Sequence, residues 1–122
     1  MKKILVVEDQ PALQKALGTA LSENGYKVFS ALDGEIGLQV AVKEKPDIIL
    51  LDLVLPKKDG FSVLKELKGD PETKNIPVMI LSNLEGSTDV QQALELGATT
   101  YLVKANYELS EVIKKIEGVL GM

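Results

Sequence analysis

Five side chains of the types that hold metal or move phosphate each stand directly behind a short apolar run. Glu8 and Asp9 follow Ile4-Leu5-Val6-Val7, and Asp52 follows Ile48-Ile49-Leu50-Leu51. Ser82 follows Val78-Met79-Ile80-Leu81, and Lys104 follows Tyr101-Leu102-Val103. Each has a plain reading when taken alone. Glu8 and Asp9 can cap a helix that starts near Pro11, Ser82 can satisfy a loop, and Lys104 can be solvated. Asp52 stands apart, because Leu53-Val54-Leu55 also follows it. An ionised carboxylate in that setting needs a partner or a metal. Together the five point to one chemistry. Three clustered carboxylates repel, and at least one pKa rises unless a cation sits among them. Mg²⁺ suits such a site, with Mn²⁺ as a substitute, because it takes oxygen ligands, keeps waters and needs few carboxylates. A divalent ion beside Asp52 lets its carboxylate attack phosphorus and form an aspartyl phosphate. Phosphoryl transfer then needs charge stabilisation of the equatorial oxygens, one by the ion, one by Lys104 and one by Ser82.

For this chemistry the five residues must meet, and the pattern between them says how. Lys27-Val28-Phe29-Ser30 completes a set of five apolar runs, several of them continuous, as in parallel strands buried on both faces. Between the runs lie helical spacings: Leu13, Ala16, Leu17, Ala20, Leu21; then Val90, Ala93, Leu94, Gly97; then Leu109, Val112, Ile113, Ile116, Leu120. Residues 35–42 read as a helix of poor periodicity, and Asp59-Gly60 opens another with Asp59 as N-cap. Asn24-Gly25 and Gly97 offer left-handed C-terminal caps, and Pro46 and Pro77 are expected to stop helices before strands three and four. Five βα units with right-handed crossovers make an α/β fold with helices on both faces of a parallel sheet. Function then collects at the carboxyl ends of the strands, where the five residues stand.

Composition narrows the classes further. At 122 residues, residues 1–122 form one domain, long enough to bury about 65% of the unfolded surface. The 45% hydrophobic and 26% charged content excludes a disordered tail, collagen and a long coiled coil. A net charge of −4 repels a phosphate backbone, so no direct nucleic-acid binding by this domain is expected. With no Cys and no His there is no disulfide framework, zinc ribbon, Ser-His triad or HExxH chemistry. The run Ile4–Val7 is too short for a signal segment, and no stretch reaches the length of a membrane span. A cytoplasmic protein is expected.

With these residues in view, the chain resembles the receiver domain of a two-component response regulator of the chemotaxis type. The matching motifs are Glu8-Asp9, Asp52 through Asp59-Gly60, Leu81-Ser82-Asn83 and Tyr101-Leu102-Val103-Lys104, and they span essentially the whole chain. The resemblance implies a flavodoxin-like, doubly wound five-stranded sheet of order 2-1-3-4-5. It implies that Asp52 accepts phosphate from the phosphohistidine of a sensor histidine kinase or phosphotransfer protein. It implies Mg²⁺ held by Asp9, Asp52 and the backbone carbonyl of Val54, with Glu8 often acting through water. Lys104 bonds the phosphate, Ser82 moves toward it, and Tyr101 swings inward to change the surface of helix four, strand five and helix five. Such a protein is a switch, not a metabolic enzyme: it promotes only its own phosphorylation and dephosphorylation, and it controls an output domain or a separate target. The same surface allows a phosphorylation-linked homodimer.

The sequence departs from the family pattern in three places. Leu55 replaces a common Met, Asn83 stands where a small residue is usual, and Ala105 replaces the Pro that commonly follows the lysine in a cis bond. A cis bond without Pro costs about 2.5–4 kcal/mol, so the loop either bears that cost or takes a trans path. The Lys57-Lys58 pair reads as a solvated loop. Other readings fare worse. A haloacid-dehalogenase-type phosphohydrolase needs a second Asp at the position of Val54. A flavin-binding domain wants a hydroxyl-rich loop where Glu8-Asp9-Gln10-Pro11 stands. A phosphate-independent, receiver-like binding module has no need of all five polar residues. The chain fits a free-standing regulator and a receiver cut from a longer protein equally well.

Overall fold

A computed structural model gives the fold and describes residues 1–121. The elements run β1 (Lys3–Val7), α1 (Pro11–Glu23), β2 (Lys27–Ala31), α2 (Gly34–Glu44), β3 (Ile48–Leu51) and α3 (Gly60–Gly69). They continue with β4 (Val78–Ser82), α4 (Ser87–Glu95), β5 (Thr100–Val103), a 3-10 turn (Lys104–Asn106) and α5 (Leu109–Leu120). The strands form one parallel sheet in the order β2-β1-β3-β4-β5, the order that the resemblance implies. Alternate strand residues face opposite layers. Ile4, Val6, Ile48, Leu50, Met79 and Leu81 pack with Leu17 and Leu21 of α1 and with Val112, Ile113 and Ile116 of α5. Leu5, Val7, Ile49, Leu51, Val78 and Ile80 pack with Ala41 of α2, Val63, Leu64 and Leu67 of α3, and Ala93 of α4. Strands β1, β3 and β4 are therefore apolar on both faces, which is why their sequence runs are continuous. No helix among the described residues is long and apolar enough to cross a membrane.

Helix α2 explains its own weak periodicity. Its buried positions are Gly34, Gly37 and Ala41, a stripe of small residues rather than large apolar ones. A Cβ on Gly37 would stand 2.8 Å from Val7 Cγ1, and one on Gly34 would stand 1.8 Å from the Lys58 carbonyl oxygen. The helix lies that close to the sheet and to the β3–α3 loop. Asp33 caps it by accepting from the Ile36 N–H at 2.9 Å, and left-handed Lys45 followed by Pro46 ends it as expected. Pro77 does not stop a helix. Helix α3 already ends at Gly69, where Asp70 is held extended before Pro71. Residues 70–76 then make turns, tied by the Thr73 hydroxyl donating to the Leu67 carbonyl at 2.7 Å.

Candidate functional site

The parallel register puts the ends of β1, β3, β4 and β5 along one edge of the sheet. Glu8 and Asp9 lie just beyond β1, Asp52 just beyond β3, Ser82 closes β4 and Lys104 follows β5. The last rungs fix the two acidic segments to each other and to β2: Asp52 N–H donates to the Val7 carbonyl at 3.0 Å, and Glu8 N–H donates to the Ala31 carbonyl at 3.0 Å. Helix α3 presses on the same point. Gly60 N–H donates to the Leu53 carbonyl at 2.9 Å, and a Cβ there would lie 2.3 Å from the Asp52 carbonyl oxygen. Only glycine allows that approach. Asp59 caps α3 by accepting from Ser62 N–H at 3.0 Å, as the sequence predicts.

The side chains converge on the Lys104 ammonium. It stands 2.7 Å from Glu8 Oε1 and 2.8 Å from Asp52 Oδ2. Glu8 and Asp52 are buried, 2% and 4% exposed, so neither could hold its charge there unpartnered. The remaining oxygens are also engaged: Glu8 Oε2 accepts from Gln10 N–H at 2.9 Å and Asp52 Oδ1 from Val54 N–H at 3.2 Å. The Glu8 contact is a bond to the first residue before α1, not a helix cap, and Gln10 is the N-cap residue. Burial pushes the Glu8 pKa above its ordinary value, although Lys104 and the Gln10 N–H pull the other way. Burial alone would lower the Lys104 pKa, but its bonds to Asp52 and Glu8 outweigh that and hold it above the usual lysine range. Lys104 thus supplies a positive charge from the chain itself to two of the three acids.

Asp9 is exposed at the rim. One carboxylate oxygen from each of Glu8, Asp9 and Asp52 lies within 4.8 Å of the others. They open on a cleft of about 250 Å³ lined by Asp9, Gln10, Asp52, Val54, Asn83 and Lys104. A hard divalent cation prefers an all-oxygen set of this kind, with room left for water and a phosphoryl oxygen. The donor set and the space therefore fit Mg²⁺ or Mn²⁺.

Ser82 and Tyr101 both bond to Leu84 rather than to the acids. Ser82 is fully buried, and its hydroxyl oxygen accepts from the Leu84 N–H at 3.4 Å. The half-buried Tyr101 hydroxyl donates to the Leu84 carbonyl at 2.7 Å. Its pKa is raised by burial, then by Asp89 and Asp52. Both side chains thus hold the one peptide segment that leads into α4. The Lys104–Ala105 bond is trans, and the chain turns directly into the 3-10 segment. Of the lysine pair, Lys58 is not simply solvated but pairs with Glu66. Lys57 adopts a left-handed conformation at φ 71°.

One residue at this edge escaped the sequence reading. Gln14 lies on the buried face of α1 with Leu17 and Leu21, and its amide nitrogen bonds to the carbonyls of Val6, Glu8 and Ala31. The signal was available, because a polar residue three before Leu17 interrupts the apolar stripe.

Comparison with known proteins relates the chain to one family. A family model described as response regulator receiver domain matches residues 4–117. The chain is 44% identical over 102 residues to response regulator PleD of Caulobacter vibrioides, covering 84% of this chain but 22% of PleD. It spans about half of several transcriptional regulators that it also matches. It is 37% identical to protein PilH of Pseudomonas aeruginosa, covering 99% of both chains. Among solved structures, it is similar to the receiver domain of the sensor histidine kinase PA1611 of Pseudomonas aeruginosa, which has a magnesium ion coordinated in its active-site cleft. That likeness has a TM-score of 0.89 at 28% identity, over 99% of this chain and 98% of that one.

Proposed function

Since the chain belongs to the response regulator receiver-domain family, we propose that it is a phosphorylation-dependent switch with Asp52 as its phosphoacceptor. The observation that carries this reading is the buried Asp52 carboxylate, 2.8 Å from the Lys104 ammonium and open to an acid-lined cleft. The donor is the phosphohistidine of a sensor histidine kinase or phosphotransfer protein. An Asp52 oxygen attacks phosphorus, the O–P bond forms as the N–P bond breaks, and the histidine nitrogen keeps the electron pair and takes up a proton. Asp9, Asp52, Glu8 and the Val54 carbonyl are the residues that would hold Mg²⁺ or Mn²⁺. When bound, the metal supplies neutralisation of charge on the incoming phosphoryl oxygens. Lys104 orients the nucleophile beforehand and turns to a phosphoryl oxygen afterward. Ser82 leaves the Leu84 N–H to donate to a second oxygen.

That exchange frees the segment that Tyr101 holds. Tyr101 then leaves the Leu84 carbonyl and turns inward, so the α4, β5 and α5 surface changes where an output domain, a target protein or a second copy can read it. The chain promotes only its own phosphorylation and dephosphorylation. Residues 1–122 act as a single receiver domain in the cytoplasm, with no direct grip on nucleic acid. Intact mass after incubation with acetyl phosphate tests the reading. It predicts a gain of one phosphate in the wild type with Mg²⁺, and none without Mg²⁺ or in Asp52→Asn. Equal gain in Asp52→Asn would move the acceptor elsewhere, and no gain with Mg²⁺ or with a phosphorylated kinase would favour a phosphate-independent binding module.

A further inference from the structure

We propose that Gln14 is a positioning residue for the acid cluster, setting its affinity for Mg²⁺ through the backbone of Glu8. The inference rests on the reading of Glu8, Asp9 and Asp52 as a metal site and names what holds that site in shape. At this edge the carbonyls at the ends of β1 and β2 lie beside α1, the Ala31 one already accepting from Glu8 N–H. The Gln14 amide nitrogen gathers three of them: Val6 at 3.0 Å, Glu8 at 3.3 Å and Ala31 at 3.1 Å. Two belong to β1 and the loop after it, and the third belongs to β2. One side chain from α1 therefore ties the β1–α1 loop to the neighbouring strand end.

The effect on the acids is direct. Glu8 is held at its N–H by the Ala31 carbonyl, at its carbonyl by Gln14 and at its carboxylate by Gln10 N–H. Asp9, exposed at the rim, follows directly in the chain and takes its place from Glu8. Gln14 also gives up its own satisfaction to do this. It is 7% exposed, and its Oε1 is the one buried side-chain polar atom among the described residues without a hydrogen-bond partner. Turning the amide over would not repair this, because Oε1 would then face three carbonyl oxygens. An amide whose donors are all used and whose acceptor is stranded is placed for its donors. Groups that orient metal ligands from behind in this way usually change metal affinity tenfold to a hundredfold when removed.

Titration calorimetry with Mg²⁺ alone tests this on the whole chain. Gln14→Met keeps the length of the side chain and removes the donors, and Gln14→Leu serves if that variant melts too low to titrate. Ile116→Val, a milder change in the core beneath α5, controls for loss of stability in general. The expected result is a Kd for Mg²⁺ about tenfold weaker in the Gln14 variant and unchanged in Ile116→Val. Amide hydrogen exchange should quicken at residues 8–10 in the Gln14 variant alone. A folded Gln14 variant with wild-type Kd and wild-type exchange at residues 8–10 would overturn the role of Gln14. Equal weakening in Ile116→Val would overturn it as well, by reducing the effect to stability. If the wild type takes up no Mg²⁺ at all, the metal-site reading itself fails, and this inference falls with it.

Discussion

Lys104 does two jobs that pull against each other, and its chemistry at the residue scale follows from that. In this structure it neutralises two buried carboxylates, yet the proposed switch needs it to leave them for a phosphoryl oxygen. Removing it leaves Glu8 and Asp52 buried without a counter-ion, which typically costs about 3–5 kcal/mol. Lys104→Met should therefore lower stability by about 3 kcal/mol at neutral pH in a chelating buffer. The pH dependence has a definite sign. The lysine's pKa is raised in the folded state, so its contribution is present below 10.5 and is lost as pH rises through the raised value. Glu8 loses the lowering influence of Lys104 in the variant, so its raised pKa moves further above 4.5. A group raised in this way stabilises the fold below its ordinary pKa and loses that contribution as pH rises. The deficit of Lys104→Met should thus be largest near neutrality and shrink toward both acid and alkaline pH. Urea unfolding of both proteins across pH reads this directly, and a flat difference would show that the ion pair does not matter to the fold. At this scale the sequence was highly informative. Each of the five polar residues was visible because it ends an apolar run. Gln14 was missed, because a polar residue that interrupts an apolar stripe is a weak signal until its carbonyl partners are known.

At the scale of elements, the site depends on close backbone approach as much as on side chains. Helix α3 starts against the end of β3, and any Cβ at Gly60 would meet the Asp52 carbonyl at 2.3 Å and Leu53 Cα at 2.4 Å. Gly60→Ala must push the helix from the strand end that holds Asp52, at a cost of about 2 kcal/mol. It should lower the urea midpoint and weaken Mg²⁺ binding together. A variant that loses stability but binds Mg²⁺ as the wild type does would separate the helix start from the site. The same feature limits what sequence can show. Helix α2 hid its periodicity because Gly34, Gly37 and Ala41, not large apolar residues, face the core. Helix α3 ended at Asp70-Pro71 rather than near Pro77, since a turn of several residues fills the space between. The large residues of α1 and α5 marked their faces plainly, and those helices appear where the spacing predicts.

The whole molecule is a small parallel sheet whose edge gathers charge that the rest of the fold must tolerate. The order β2-β1-β3-β4-β5 came with the family resemblance, whereas right-handed crossovers alone set helices on both faces; the parallel strand ends then bring the acids together. The state of Ser82 and Tyr101 was not legible in sequence, because their common tie to Leu84 depends on how the β4–α4 loop folds back. A cation bound to the folded edge and not to the unfolded chain stabilises the molecule as a unit. At ten times its Kd, Mg²⁺ adds about 1.4 kcal/mol, a rise of about 3–6 °C in Tm for a domain of this size. A Tm that does not respond to Mg²⁺ would count against the metal site. The central claim, however, concerns one bond on one residue. Borohydride reduces an acyl phosphate to the alcohol, so an aspartyl phosphate becomes homoserine that peptide mass spectrometry can place. After treatment with acetyl phosphate and Mg²⁺, homoserine should appear at position 52 and at no other acidic residue. Homoserine at position 9, or a phosphate that resists borohydride and sits on a hydroxyl, would contradict the account.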